Sequence, residues 1–155
     1  MALRATTGSA TAGERQTRER PDRADPVRLD NISPVLIVED NYFSSIELKR
    51  LLDELGIETS YTGRPMAARE LARQIRPKVA LVDINLEGGY EGLALARELQ
   101  ALYGTKIVFV TGYHVRDLMH RLTGADNMAV LFKPVEHEVL TAVLGQVSKT
   151  ISNAN

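Results

Sequence analysis

The 155-residue chain has no cysteine, almost no net charge and no long apolar run. Without cysteine there is neither a disulfide nor a thiolate metal site, which suits the cytoplasm. Its 19 basic and 20 acidic residues leave a net charge of −1, so no global field draws it to nucleic acid or to a membrane surface. The longest apolar runs fall far short of the roughly 18 residues needed to cross a bilayer, and the first residues lack the apolar core of a secretory signal. His114, His120 and His137 show no pairwise spacing of a helical metal motif. Gly88-Gly89 lacks the flanking pattern of a nucleotide-binding loop.

What is present divides into a polar arm and one folded domain. Residues 1 to about 31 hold six arginines and five acidic residues, with Pro21, Pro26 and almost no large apolar side chain. Such a stretch buries too little surface to offset its ordering entropy, so a disordered tail is expected over 1–31. The folded domain is expected over 32–150, with a short tail at 151–155.

From Pro34 onward, short apolar runs alternate with helical periodicity. Val35–Val38, Val79–Val82, Ile107–Val110 and Ala129–Phe132 are unalternating runs, the mark of strands buried on both faces. Ile57–Tyr61 is a more polar strand that suits a sheet edge. Leu48, Leu51, Leu52 and Leu55 recur at helical spacing before Gly56, which fits a left-handed cap. Pro65 opens a second helix that turns Ala67, Leu71 and Ile75 inward and stops before Pro77. A third helix, about Glu91 to Leu102, carries Leu95, Leu99 and Leu102. A shorter fourth carries Val115, Leu118, Met119 and Leu122. The last places Val135, Val139, Val143 and Val147 beside Leu140 and Leu144, with Glu136 and Glu138 in its first turn. Ser148 to Asn155 trail off. Five strands alternating with five helices predict an α/β fold, a flavodoxin-like (βα)5 three-layer sandwich whose five-stranded parallel sheet runs in the order 2-1-3-4-5.

In such a sheet, chemistry gathers beyond the carboxyl ends of the strands. Four of those ends carry polar groups here: Glu39-Asp40, Asp83, Thr111 and Lys133. Taken singly, each has an ordinary reading: Asp40 as a helix cap, Asp83 as a turn residue, Thr111 as a β-branched residue leaving a strand, and Lys133 as a solvated loop lysine. Their shared position is harder to explain that way. Carboxylates at about 4 Å and an effective dielectric of about 20 repel by on the order of 4 kcal/mol per pair, so three at one pole call for a cation. A hard oxygen set with open positions suits Mg²⁺. A carboxylate nucleophile with a hydroxyl and an ammonium opposite describes phosphoryl transfer onto Asp83.

With these residues in order, the chain resembles the receiver domain of bacterial two-component response regulators over about Pro34 to Val147. The motifs are Glu39-Asp40 in VLIVED, Asp83 in LVDINL, Thr111 in FVTG and Lys133-Pro134 in LFKP. The resemblance implies that Asp83 is the phosphoacceptor, and that Glu39, Asp40, Asp83 and the backbone carbonyl of Asn85 hold Mg²⁺. It implies that Thr111 and Lys133 meet the phosphoryl group, and that the Lys133-Pro134 bond is often cis. It also implies a phosphodonor, either a histidine kinase or a phosphotransfer protein, an unknown downstream protein partner, and no catalysis beyond the chain's own phosphorylation and dephosphorylation. Because the chain stops soon after the last helix, a stand-alone receiver is expected. The usual aromatic three positions before the lysine is Val130 here, and FVTGYH is similar to the FATGUY variant paired with HWE or HisKA2-type kinases. Thr111, Gly112 and Tyr113 are then the switch candidates, within a mobile segment from Thr111 to Leu122. The alternative is a small Mg²⁺-dependent aspartate-nucleophile phosphohydrolase, which usually wants a second acid two residues after the nucleophile, where this chain has Asn85.

Overall fold

The structure is a computed structural model that describes residues 26–112 and 129–155. Among these, five parallel strands form one sheet: β1 (Val35–Val38), β2 (Thr59–Thr62), β3 (Val79–Asp83), β4 (Lys106–Thr111) and β5 (Ala129–Phe132), in the order β2-β1-β3-β4-β5. Four helices accompany them: α1 (Tyr42–Glu54), α2 (Pro65–Ile75), α3 (Glu91–Tyr103) and α4 (His137–Asn153), with a 3-10 turn at Leu86–Gly88. The expected order is therefore the observed one. The helix expected around Val115–Leu122 lies outside the described residues, as do Tyr113, His114 and His120.

β1, β3 and most of β4 are buried because helices cover both faces, whereas β5, expected to be buried as well, lies at the sheet edge with only Leu131 buried and Phe132 exposed. Val35, Ile37, Leu81, Val108 and Val110 point to one side, where they pack with Leu48, Leu51 and Leu52 of α1 and Leu140 and Leu144 of α4. Leu36, Val38, Val82, Ile107 and Phe109 point to the other, against Ala68 and Ala72 of α2 and Leu95 and Leu99 of α3. The more polar β2 is indeed an edge, two residues later at its start than the sequence suggests. Gly56 follows α1 with φ 71°, the left-handed conformation expected of it. The Lys133-Pro134 bond is cis, as is Ser33-Pro34.

Several helix faces differ from the sequence reading. On α2 the fully buried positions are Ala68 and Ala72, while Ala67, Leu71 and Ile75 are half-buried, because small side chains line the closest approach to the sheet. On α3 the buried row is Gly92, Leu95, Ala96 and Leu99, and its next member is Tyr103, so Leu102 is turned out and 62% exposed. On α4, Val139 is exposed for the same reason: the inward row runs Leu140, Leu144, Gly145 and Ser148. Nor does the chain trail off at Ser148. The helix continues to Asn153, with Ile151 packed against the core. Residues 26–31 of the expected tail also lie against α4, with Leu29 packed on the core beside fully buried Ile32.

Candidate functional site

The sheet register brings the polar strand ends together. Val38 pairs with Val82, so Glu39, one residue beyond, stands level with Asp83. Asp83 pairs with Val110, and Thr111 with Phe132, which places Thr111 and Lys133 one step further along the same pole. The Lys133 backbone N–H donates to the Thr111 carbonyl at 3.0 Å, continuing the ladder past the end of β5.

One carboxylate oxygen from each of Glu39, Asp40 and Asp83 lies within 4.8 Å of the others. Glu39, Asp83 and Thr111 are buried, whereas Asp40 is exposed. Lys133, expected to meet the phosphoryl group, bridges two acids here: its Nζ lies 2.5 Å from Glu39 Oε2 and 3.0 Å from Asp83 Oδ2. The Glu39 side chain is 1% exposed and the Lys133 side chain 26%, so this is a largely dry pair with a wet rim. Burial raises the Glu39 carboxyl above its ordinary range, against the pull of Lys133 and the Asn41 N–H, and the nearby Asp83 charge adds to the rise. For Lys133, burial acts downward, but the two carboxylates outweigh it and hold the ammonium above the usual lysine value.

The backbone around the acids is held by the acids themselves. Glu39 Oε1 accepts from the Asn41 N–H at 2.9 Å, and Asp83 Oδ1 accepts from the Asn85 N–H at 3.0 Å. Asp40 Oδ2 accepts from the Glu87 N–H at 3.0 Å, joining the ends of β1 and β3. Asp40 is not the cap of α1. That is Asn41, whose side chain accepts from the Ser44 N–H at 3.0 Å, so Asp40 is left to the site. A recess of about 530 Å³ opens beside it, lined by Thr62, Gly63, Arg64 and Glu87.

Gly92 also belongs to the site, although no motif marks it. It sits in the first turn of α3, directly against the end of β3. A Cβ built there would lie 1.9 Å from the Asp83 carbonyl oxygen and 2.8 Å from Ile84 Cα. Only glycine lets the helix come this close, and that approach fixes the backbone carrying the central aspartate. The sequence signal was a glycine inside a helical turn, where propensity alone disfavours it.

The three acids form an all-oxygen, hard donor set, and exposed Asp40 beside an open recess leaves positions for water. Mg²⁺ binds in this manner, by one or two carboxylates while keeping several waters, so the residues fit that ion.

A family model described as "Response regulator receiver domain" matches residues 35–145. The chain is 33% identical over 101 residues to the transcriptional regulatory protein PdtaR of Mycobacterium tuberculosis, covering 64% of this chain and 49% of PdtaR. It thus spans about half the length of that relative. It is 29% identical over 103 residues to the polar-differentiation response regulator DivK of Brucella anthropi, covering 65% of this chain and 84% of DivK. Among solved structures, the CheY-like receiver domain from Methylobacillus flagellatus superposes with a TM-score of 0.65 at 28% identity, covering 73% of this chain and 96% of that one.

Proposed function

The chain belongs to the response regulator receiver domain family, and from that premise we propose that Asp83 accepts a phosphoryl group from a phosphohistidine and that the domain signals through the change this makes in its surface. The observation that carries the assignment is the convergence of three carboxylates within 4.8 Å, with one ammonium bridging two of them. In the transfer, an Asp83 carboxylate oxygen bonds to phosphorus as the P–N bond of the phosphohistidine breaks, and the imidazole leaves with that electron pair. Glu39, Asp40, Asp83 and the Asn85 carbonyl are the groups that would hold Mg²⁺. When bound, the ion neutralises the acidic pole and draws charge from the phosphoryl oxygens. Lys133 serves the same charge on the other side, and Thr111 offers its hydroxyl to a phosphoryl oxygen. The phosphodonor is a histidine kinase or phosphotransfer protein, with the HWE and HisKA2 classes as the finer assignment from FVTGYH. Thr111, Gly112 and Tyr113 are the segment through which the change passes outward.

The test is intact mass after incubation with acetyl phosphate and Mg²⁺. Wild type gains one phosphoryl mass only when divalent metal is present, and Asp83→Asn gains none. Labelling that survives the substitution places the nucleophile elsewhere.

A further inference from the structure

We propose that Pro26–Asn31 is a strap that covers the Gly145–Ser148–Ser152 face of the carboxyl-terminal half of α4 and can lift from it without unfolding the domain. The strap is built around Ser148, a polar residue only 5% exposed on the inward row of the helix. The Ser148 hydroxyl donates to the Arg28 carbonyl and to Asn31 Oδ1, each at 2.6 Å, sharing its one proton between them. Asn31 Nδ2 returns two bonds, to the Ser148 carbonyl at 3.0 Å and to Ser152 Oγ at 2.9 Å. One turn earlier, Gly145 gives the strap its close approach: a Cβ there would stand 2.9 Å from Val27 Cγ1. The match is reciprocal, since Gly145 meets an aliphatic side chain while Ser148 and Ser152 meet a backbone carbonyl and, four residues after Val27, an amide.

The same contacts show why the strap can lift. Val27 is half exposed, and a cleft of about 870 Å³ beside these contacts is lined by Pro26–Arg28 together with Gln146, Lys149 and Asn153, so the seam is only partly filled. Leu29, within the strap, packs on the margin of the core, and fully buried Ile32 anchors the chain just beyond it, so the strap is tied down at its carboxyl end and opens as a local unit from the Pro26 side. While it is seated, another chain cannot reach the Gly145–Ser148–Ser152 face. The helix so covered is the one that leaves the Lys133-Pro134 turn, so the strap fixes its far end.

The experiment uses the full chain and follows trypsin cleavage of the Arg28–Leu29 bond by mass. In wild type the scissile carbonyl is held by Ser148 and Leu29 is packed, so cleavage is slow. Ser148→Ala removes the shared hydroxyl donor and Asn31→Ala removes three hydrogen bonds; each should speed cleavage there by at least about tenfold, the effect that one net hydrogen bond has on the open population. Cleavage after Lys78 and Lys106 should not change. Val27 Cβ lies 3.9 Å from the Cβ position of Gly145, within the span of a disulfide. In this cysteine-free chain, Val27→Cys with Gly145→Cys should therefore oxidise within one molecule and suppress the Arg28–Leu29 cut until reduced. The strap is overturned if that cut is as fast in wild type as in both latch variants. It is equally overturned if the cut rises only in step with cleavage after Lys78 and Lys106, or if the double cysteine variant oxidises only between molecules.

Discussion

Replacing Gly92 by alanine sets two effects of known size against each other. In a helix, alanine is favoured over glycine by roughly 1 kcal/mol. Propensity alone therefore predicts a more stable protein. The geometry predicts the reverse. The new methyl would stand 1.9 Å from the Asp83 carbonyl oxygen and 2.8 Å from Ile84 Cα, both backbone atoms of a strand end buried on each side. Neither can swing away as a side chain would, so α3 must move outward by about 1 Å or more, against close packing that transmits such strain. Overpacking of this kind costs typically about 1–3 kcal/mol, and an overlap this deep belongs at the upper end. The net expectation is a loss of about 2 kcal/mol, or roughly 8 °C in melting temperature for a domain of this size. Gly145→Ala is the control, because its clash is with Val27 Cγ1, a half-exposed side chain that can turn aside. It should change stability by no more than about 0.5 kcal/mol. Thermal melts of both variants, with urea titrations to fix the free energies, measure the difference. A Gly92→Ala protein that melts at or above wild type would refute the close approach. The displaced Asp83 backbone should also slow labelling by acetyl phosphate in Gly92→Ala and leave it unchanged in Gly145→Ala.

Lys133→Met removes the cation from the dry end of the pole and should cost about 3 kcal/mol in EDTA near neutral pH, since breaking one side of a buried pair strands the other charge. Part of that loss should return on adding Mg²⁺, read as a larger metal-induced rise in melting temperature than wild type shows. Glu39 supplies the pH dependence: with its folded carboxyl raised, the stability it contributes is full below the ordinary value of 4.5 and is lost as pH rises through the folded value. Lys133→Met deepens the raise, so the gap between variant and wild type in EDTA should close on acidification, and a gap that widens would refute the pairing. On α3, Leu99→Ala should cost about 2–5 kcal/mol and Leu102→Ala less than about 0.5 kcal/mol, measured by urea denaturation.

The sheet and most of the pole were legible because both rest on features a sequence displays directly. A strand covered on two faces must be apolar at every position, so its carboxyl end shows as the first polar residue after the run, and parallel pairing then levels those ends without further information. Glu39, Asp83, Thr111 and Lys133 each followed from that rule. What the sequence hid was burial achieved by something other than a large apolar side chain. Periodicity assigns Leu102 and Val139 to the core because they are apolar, while the buried rows turn instead through Gly92 and Ala96 on α3, and through Gly145 and Ser148 beneath residues 27–31 on α4. Small residues draw no attention in a hydrophobic pattern, yet they are what allows a backbone to come close. Ser148 is the sharper case. A buried hydroxyl is tolerable only with a partner, and its partners are the Arg28 carbonyl and Asn31, some 120 residues away in a stretch whose composition reads as solvated. The same holds for Lys133, whose motif points it at a phosphoryl group and says nothing of the bridge it makes between Glu39 and Asp83. Polar pairing depends on a meeting in space, and no local pattern encodes it. The residues missed by the sequence reading are therefore concentrated where polar or small side chains join segments far apart in the chain.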